Sequence, residues 1–420
     1  MRIMLVSNVF PPGFIGGYEL GALDVAQALS SRGHQLSVLT SDFFLDDELS
    51  LAGLHVERTL ECAVPTHQRP VTDFDGLFGV FVNWNNIRRV GSALRRHRPD
   101  LILVFNTAGL GTHALIQFLS ASAIPMVTYF MDDPFGVANQ FPEHLRRYDR
   151  IFGPIQSGEL GLPISMSRNL LAQLCSRVPG LDSSAVIIPG WVDLENLPPP
   201  DSGGQTTELS GHRRFVFSGR VAGHKGVDIL IEAAARLSEY GRRNFTIDIY
   251  GAGSVGPVMQ EVQRRNLAGI IYYKGVIAKS EMVQRFGDYD ALLFPTWERE
   301  PFGFTAVEAA GRGCIPVMTS AIGAAEWFLD AVDCFKTRRT SESLGGAMLR
   351  LIEMPQSRLD AMKARARESV AQSLGAARWM DRIEDICVEA RHGLPAWSPK
   401  RVRQLESVYL VLSEMFREGV

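Results

Sequence analysis

The sequence predicts an α/β fold made of two doubly wound halves, and three observations predict it. Short apolar runs typical of buried strands alternate with helical patterns from the N-terminus to about Asp193. The same alternation resumes at Phe215. A segment rich in Pro, Ser and Gly, from Leu194 to Gly211, separates the two series and has the composition of a linker. Strands that alternate with helices form a mostly parallel sheet, which helices cover on both faces.

The first half contains five strand-like runs with helical patterns between them. Strands are predicted at Arg2–Ser7, Gln35–Thr40, Leu101–Phe105, Pro125–Phe130 and Ala185–Ile188. Helices are predicted at Glu19–Arg32, Val82–Arg96, His113–Ala121 and Ser165–Arg177. The longest apolar region, Ala114 to Met131, contains Gln117 and an Ile124-Pro125 break, so a helix followed by a strand is favoured over a membrane span.

The second half repeats the pattern and leads into a helical tail. Strands are predicted at Phe215–Phe217, Phe245–Tyr250, Ile270–Lys274, Ala291–Pro295 and Ile315–Met318, with a helix at Val227–Leu237. The predicted boundaries are a first domain at 1–195, a linker at 196–211, a second domain at 212–376 and C-terminal helices at 377–420. Two similar halves on a flexible linker imply a cleft that closes by relative motion. The tail helices, Ala377–Arg391 and Ser398–Arg417, are expected to pack on the first domain; dimer or membrane contact are the alternatives.

The composition is that of an ordinary globular chain. Its 420 residues suffice for two or three domains, and 46% hydrophobic content allows sizeable cores. The net charge of −3 gives no reason to expect a nucleic-acid partner. The five cysteines are scattered without paired spacing, which is typical of free thiols in a reducing cytoplasm. The N-terminal apolar stretch is too short for a signal peptide and is interpreted as a buried strand.

Two glutamates mark the first candidate site. Glu300 and Glu308 lie eight positions apart, with a Pro-Phe-Gly-Phe turn between them and a helix-forming run afterwards. The turn leaves Glu300 on a loop, whereas Glu308 is expected in the first turn of a helix, whose N-terminus attracts phosphate. An alternative needs no ligand: Thr305 at the N-cap and Glu308 at N3 form a capping box.

Two cations mark the second candidate site. The loop from Ser218 to Gly226 follows a predicted strand and precedes a predicted helix, so Arg220 and Lys225 lie where open α/β sheets bind ligands. A planar guanidinium and a compact ammonium suit a diphosphate and its developing charge. Taken alone, this signal is weak because glycine-rich loops and surface cations are common.

Together these segments resemble the retaining, nucleotide-sugar-dependent glycosyltransferases of the GT-B fold, group 1 (GT4), over nearly the whole chain. The matching pieces occur in the family's order: Pro11 to Glu19, Gly33-His34, Ile187 to Pro189, Val192-Asp193, Gly219-Arg220, Lys225-Gly226, Glu300 to Glu308, and Gly323 to Glu326. The variant from Glu300 to Thr305 is similar to that of sucrose and glycogen synthases.

The resemblance implies a reaction and roles for the site residues. A nucleoside diphosphate sugar is expected to bind mainly to the second domain, with Glu308 on the ribose and Glu300 on the sugar. Arg220 and Lys225 are expected to stabilise the leaving diphosphate during a front-face displacement. No resident cofactor is expected. A metal is not required in this scheme, and the sequence shows no clear ligand spacing.

Further contacts are implied residue by residue. The expected donor contacts are Gly16, Gly17, Gly219, Gly251, Gly275, Val276, Phe302, Gly303, Phe304 and Thr305. The expected sugar or acceptor contacts are Glu19, Asn106, His113, Met131, Asp132, Asp133 and Glu326. For Glu19, a surface role at a helix start is the alternative; for Glu326, the alternative is a solvated position in the first turn of a helix. The family often has His where Met131 stands, so Met131 is interpreted as core filling, and Asp132 or Asp133 as its substitute.

A basic helical face is the last candidate. Arg88, Arg89, Arg95 and Arg96 lie at helical spacing after an aromatic loop, Phe74 to Phe81, and such a face can contact anionic lipid headgroups. A solvated helix is the commoner explanation. Two other functions remain open at this point: a sugar-nucleotide 2-epimerase of the same fold, and a non-catalytic sugar-nucleotide-binding subunit. The sequence does not identify the base, the sugar, the acceptor or the oligomeric state.

Overall fold

The structure is a computed structural model that describes residues 1–13, 16–43, 53–63, 82–136, 155–193, 211–392, 400 and 402–407. Nearly all of the predicted linker, the aromatic loop from Phe74 to Phe81 and most of the last predicted helix lie outside these residues. Two compact units make up the chain: Met1–Ile188 with Met380–Val420, and Pro189–Trp379.

The first unit contains a parallel seven-stranded sheet. Its strands are β1 (Arg2–Ser7), β2 (Gln35–Ser41), β3 (His55–Leu60), β4 (Leu101–Asn106), β5 (Met126–Phe130), β6 (Leu162–Ser165) and β7 (Val186–Ile187). The spatial order is β3-β2-β1-β4-β5-β6-β7. β1 pairs with β2 on one side and β4 on the other, so the chain reverses its direction of winding there. The central strands are apolar and fully buried, as a sheet covered on both faces requires.

Within the described ranges, helices of the first unit follow these strands. They are α1 (Gly17–Ser31), α2 (Trp84–His97), α3 (Thr112–Ala121) and α4 (Arg168–Cys175). The Asn83 side chain caps α2 by accepting a 3.0 Å hydrogen bond from the Asn86 backbone N–H. The helix ends at Arg98, whose φ of 47° is left-handed, immediately before Pro99. Ile87, Val90 and Leu94 of α2 pack in the core of this unit.

The second unit contains a parallel six-stranded sheet. Its strands are β8 (Arg213–Ser218), β9 (Phe245–Tyr250), β10 (Ile271–Gly275), β11 (Ala291–Phe294), β12 (Ile315–Thr319) and β13 (Phe335–Thr337), in the order β10-β9-β8-β11-β12-β13. Its helices are α5 (Val227–Glu239), α6 (Val255–Arg264), α7 (Lys279–Arg285), α8 (Phe304–Gly311), α9 (Ser341–Glu353) and α10 (Gln356–Ser373); α11 (Ala376–Arg391) contains the boundary between the units. Phe215, Phe245 and Leu344 belong to a separate core.

The predicted fold class is confirmed: each unit has a parallel Rossmann-like sheet. Three observed strands were not predicted, and each has a local reason. β3 carries His, Glu and Arg on an exposed sheet edge, β6 is short and contains Pro163, and β13 has only three residues. Such strands depend on pairing with a neighbour more than on their own pattern.

The last part of α11 belongs to the first unit. Arg32 forms ion pairs with Asp381 at 2.5 Å and with Glu384 at 3.1 Å, and His34 Nε2 lies 2.8 Å from Glu384. Further along, residues 402–407 are helical and Val402 is fully buried against the first core. Within the described ranges, no helix combines the length and the apolar character that crossing a membrane requires.

Candidate active site

The loop between β8 and α5 carries both predicted cations. Arg220 is exposed, and Lys225 is partly buried in a short 3-10 turn, Gly223–Lys225. The backbone N–H of Val221 donates to Ala252 O at 2.8 Å, which holds the loop against the end of β9. Gly226 then starts α5 with a φ of 77°, and a Cβ there would lie 2.1 Å from the Pro295 carbonyl oxygen. Only glycine combines this conformation with so close an approach.

Lys225 and Glu300 contact each other directly. The Lys225 ammonium donates to Glu300 Oε2 at 2.5 Å, and the Thr296 hydroxyl donates to the same oxygen at 3.0 Å. The two residues are 75 positions apart but follow β8 and β11, which are neighbouring parallel strands. Both side chains are largely shielded, with exposures of 23% and 15%. The carboxylate therefore fixes the position of the ammonium, a contact that the sequence did not reveal.

His224 lies next to this ion pair. Burial lowers the pKa of His224, and the positive charges of Lys225 and Arg220 lower it further. Its ring is 5.5 Å from that of Trp297, and its carbonyl accepts from the Trp297 N–H at 2.9 Å. Arg339 donates to Gly223 O at 2.6 Å. It is a third cation at this loop, besides Arg220 and Lys225. Arg339 was not predicted because it lies more than a hundred positions away along the chain, after β13.

Glu308 lies in α8, but further into the helix than either the phosphate-site prediction or the capping-box prediction placed it. The helix has Gly303 at its N-cap with a φ of 103° and begins at Phe304, so Glu308 falls in the second turn. Thr305 is inside the first turn and makes no cap, so the predicted capping box is wrong. Glu308 is 9% exposed, and its Oε1 lies 2.8 Å from Lys279 Nζ. Lys279 begins α7, shortly after Gly275 and Val276, two of the predicted donor contacts.

The remaining residues that were predicted to contact the sugar donor form two groups. Some are buried by packing, and others are accessible to solvent. A Cβ on Gly251 would lie 1.8 Å from the Gly219 carbonyl oxygen, so the fold itself requires glycine at 251. Phe302 is 1% exposed and stacks edge-on with Phe304 at 5.3 Å. In contrast, Val276 is 66% exposed, and Gly275 has open space around its Cβ position. This loop therefore has room for the donor contacts predicted there.

Around the start of α1, the first unit presents Gly16 and Gly17. A Cβ on Gly16 would meet nothing within 4 Å, and its φ of −160° suits any residue, so packing does not explain this glycine. Glu19 is fully buried and accepts from the Gly16 N–H at 3.0 Å. The predicted surface role of Glu19 is therefore wrong: its carboxylate lies inside the protein and holds the start of the helix. Tyr18 OH donates to Asn8 at 3.1 Å beside it.

The loop after β5 contains the departure from the family pattern. Met131 is buried at 4% exposure, as core filling predicts. Asp132 is exposed, whereas Asp133 accepts from the Phe135 and Gly136 N–H groups at 3.0 Å each and pairs with Arg177 at 3.1 Å. Asp133 thus shapes the loop, and of the two aspartates Asp132 is the accessible one.

Two further first-unit candidates, Asn106 and His113, lie near the carboxyl ends of strands. Asn106 ends β4 and accepts from the Ala108 N–H at 2.9 Å, so its side chain stabilises the turn. His113 lies in the first turn of α3, 8% exposed, with its ring 5.7 Å from that of Phe135. In the second unit, Glu326 is partly exposed in a 3-10 turn, Gly323–Trp327, rather than at a helix start. Ala324 N–H in that turn donates to Phe302 O at 2.8 Å.

The predicted basic face of α2 is largely paired. Arg89 lies 2.9 Å from Glu61, and close ion pairs join Arg95 to Glu406 and Arg96 to Glu57. These three carboxylates reduce the positive charge that Arg88 and its neighbours would offer an anionic lipid surface. The described residues of this face therefore give no support for membrane contact.

Comparison with known proteins agrees with this architecture. The model for glycosyl transferases group 1 matches residues 204–369, and the model for glycosyltransferase family 4 matches residues 15–196. A glycogen synthase from Mycobacterium tuberculosis is 24% identical over 344 residues, covering 77% of this chain and 78% of that protein. Sucrose-phosphate synthase from Thermosynechococcus elongatus superposes with a TM-score of 0.72 at 15% identity, covering 92% of this chain and 98% of that one. Anabaena HepE in complex with UDP and glucose gives a TM-score of 0.67 at 20% identity, covering 92% and 99%.

Proposed function

This chain belongs to the group 1 (GT4) glycosyltransferases of GT-B fold, and we propose that it transfers a hexose from a nucleoside diphosphate sugar to an acceptor hydroxyl with retention of anomeric configuration. The observation that carries the proposal is the grouping, in the second unit, of Arg220 and Lys225 on one loop with Glu300 against that loop. The cations can stabilise the negative charge that grows on a diphosphate leaving group. The carboxylate lies directly beside one of them, Lys225.

The cations stabilise the leaving group. As the bond from the anomeric carbon to the phosphate oxygen breaks, negative charge grows on the diphosphate, and Arg220 and Lys225 receive it. The acceptor oxygen forms its bond on the same face of the sugar, and its proton passes to the departing phosphate oxygen. Electrostatic stabilisation of this kind commonly contributes about 3 to 4 kcal/mol for each donor.

Glu300 has a positioning role besides any contact with sugar hydroxyls. Its Oε2 already accepts from Lys225 and Thr296, which leaves Oε1 to accept from a hydroxyl of the donor sugar. Its contact with Lys225 keeps the ammonium from rotating away. The carboxylate orients groups and does not attack the anomeric carbon.

Glu308 is assigned to the ribose. Its carboxylate is held on α8 beside Lys279, and two ribose hydroxyls can donate to it. The base is assigned to the loop at Gly275 and Val276, where the backbone is accessible. The likeness to Anabaena HepE, whose structure contains UDP and glucose, makes UDP-glucose the first donor to test.

The acceptor is assigned to the first unit. Gly16, which packing does not require to be glycine, lets an acceptor or donor group approach the backbone, and exposed Asp132 can accept from a hydroxyl. The acceptor class is a saccharide, a lipid-linked saccharide or a small molecule. The charge on the leaving group is balanced by side chains, so the proposed reaction proceeds without a divalent metal.

A panel of UDP-, GDP-, ADP- and TDP-sugars, scored by thermal shift, tests the donor assignment. A ligand that binds only the folded protein raises its melting temperature, and one nucleotide class should do so clearly.

The matching donor is then incubated with acceptors, before and after chelator treatment, and the product anomer is determined by NMR. An inverted product would overturn retention, and loss of turnover with the chelator would overturn metal independence. Conversion of the donor alone to its epimer would establish the 2-epimerase, and binding without turnover the non-catalytic subunit.

A further inference from the structure

A second cluster of side chains with potential ligand atoms lies in the first unit, apart from the first-unit residues assigned to the acceptor. Among the described residues, the candidate ligand atoms of His55, Glu57 and His97 lie within 4.8 Å of one another. His55 and Glu57 are two positions apart on β3 and therefore point to the same side of the strand. His97 is the last residue of α2. Two rigid elements thus bring two imidazoles and a carboxylate together.

The two oxygens of Glu57 are used differently. Oε1 faces both imidazoles, 3.1 Å from His55 Nε2 and in close contact with His97 Nε2. Oε2 is in close contact with the Arg96 guanidinium. Arg96 therefore orients the carboxylate so that one oxygen stays directed at the two rings.

We propose that His55, Glu57 and His97 bind a divalent transition-metal ion, Zn²⁺ being the best match, through two imidazole nitrogens and Oε1 of the glutamate. Ligand atoms in a tetrahedral zinc site lie about 3.3 Å apart, given metal–ligand bonds of about 2.0 to 2.1 Å. The candidate ligand atoms of the cluster lie within 4.8 Å of one another, so the proposal requires them to move closer together when the ion binds. Two imidazoles and one carboxylate favour Zn²⁺ over the oxygen-seeking Mg²⁺ and Ca²⁺.

The surroundings leave room for a fourth ligand. A cavity of about 230 Å³ adjoins His55 and His97 and is lined by Gln35, Ser37 and Pro99 among others, so water can complete the coordination. Two cations lie near the cluster. Arg2, which also lines the cavity, is paired with Asp100 at 2.9 Å. Arg96 Nε lies 3.4 Å from His97 Nε2, so the ion must displace this contact; the Arg96 side chain is 56% exposed and has solvent to move into. The negative end of the α2 dipole adds a further attraction for a cation.

The position of the cluster separates it from the proposed transfer reaction. His55, Gln35 and Arg2 are the first residues of β3, β2 and β1, so the cavity lies at the amino edge of the first sheet. The first-unit residues assigned to the acceptor follow the carboxyl ends of parallel strands, the edge where such sheets bind substrates. The ion would join the edge strand β3 to α2, and its effect would be on the stability of this unit.

The test is Zn²⁺ binding by the full-length protein after removal of metals with a chelator, followed by calorimetric titration and Co²⁺ absorption. We expect one equivalent bound with micromolar or tighter affinity, a Co²⁺ spectrum of tetrahedral intensity, and a higher melting temperature with Zn²⁺. His55→Gln and His97→Gln should each weaken binding by at least about tenfold, because even groups outside the coordination sphere cost that much. His55 is 63% exposed, so its replacement leaves the fold intact.

The matched control is His392→Gln, which removes an exposed histidine at the end of α11. It should bind Zn²⁺ as the unaltered protein does. If the unaltered protein binds no Zn²⁺, or if His55→Gln and His97→Gln bind it as tightly as His392→Gln, the site does not exist. Because the readouts are metal content, spectrum and melting temperature, they are independent of whether the proposed glycosyl transfer is correct.

Discussion

At the scale of single residues, Lys225 is the side chain on which the proposed reaction depends most. Its ammonium is held by Glu300 at 2.5 Å and is 23% exposed. We expect Lys225→Ala to lower kcat by about 100-fold or more, because the charge it stabilises grows only as the leaving group departs. The dissociation constant for the donor should rise by much less.

Lys274→Ala is the matched control for this substitution. Lys274 is also in the second unit, is 42% exposed and lies 3.7 Å from Asp248, so its loss should leave turnover nearly unchanged. Single-turnover kinetics and donor titration separate the two quantities. A Lys225→Ala enzyme with normal kcat would remove this residue from the mechanism.

Glu308 and Lys279 form a second pair whose members have different expected roles. Glu308→Ala should weaken donor binding by about tenfold or more, since hydrogen bonds to a charged group contribute about 1.5 to 3 kcal/mol. Lys279 is 56% exposed, and an exposed ion pair contributes little, so Lys279→Ala should change donor affinity by less than about threefold. Calorimetric titration with the nucleotide compares them. Equal losses in both variants would make Lys279 a donor contact in its own right, and normal affinity in Glu308→Ala would refute the ribose assignment.

His224 gives a prediction about pH. Burial, then the charges of Lys225 and Arg220, lower its pKa in the folded protein, whereas in the unfolded chain it takes up a proton near pH 6.5. Between these two values the unfolded chain binds more protons, so stability is complete above about pH 6.5 and falls as the pH drops through the window. His224→Gln should show a smaller loss of melting temperature between about pH 7.5 and 5.5. A slope identical to that of the unaltered protein and of His392→Gln would contradict this.

At the scale of elements, the start of α5 requires a glycine, because the Cβ atom of any other residue would not fit there. Gly226 has a φ of 77°, and a Cβ would lie 2.1 Å from Pro295 O. Gly226→Ala should therefore destabilise the second unit by about 2 kcal/mol or more, from the left-handed backbone and from the overlap. Gly256→Ala, inside α6 with nothing within 4 Å of its Cβ, should be neutral or slightly stabilising. Urea unfolding measures both, and equal stabilities would contradict the packing argument.

The boundaries of the helices and strands also show which features of the fold a local sequence pattern can predict. The buried strands that were predicted lie within a few residues of the observed ones, because burial on both faces leaves a continuous apolar run, whereas α6, α7, α9 and α10 were not predicted. The start of α8 was misplaced: Thr305 and Glu308 have the spacing of a capping box, but Gly303 makes the cap because its positive φ fits the turn from Phe302. A capping pattern can be satisfied in more than one register, and packing chooses between them.

At the scale of the whole molecule, the chain returns to its first unit through α11. Ile383 is fully buried there, whereas Val388 in the same helix is 38% exposed. Ile383→Ala should destabilise the first unit by about 2 to 5 kcal/mol, and Val388→Ala should have little effect. Hydrogen exchange provides the local readout: amides of β1 and β2 should exchange faster in Ile383→Ala, while those of β8 and β9 should not. Faster exchange in the second unit alone would show that α11 does not stabilise the first.

The sequence by itself determined the alternation of strands and helices, the family, and which loops carry cations and carboxylates. These properties are local, since a strand, a glycine turn and a helix start are each encoded within about ten residues. The tertiary structure decided which side chains meet. Lys225 reaches Glu300 because β8 and β11 are neighbours, and Glu57 lies against His97 because α2 ends beside β3. Such contacts depend on strand order and packing over long separations, which no local pattern records.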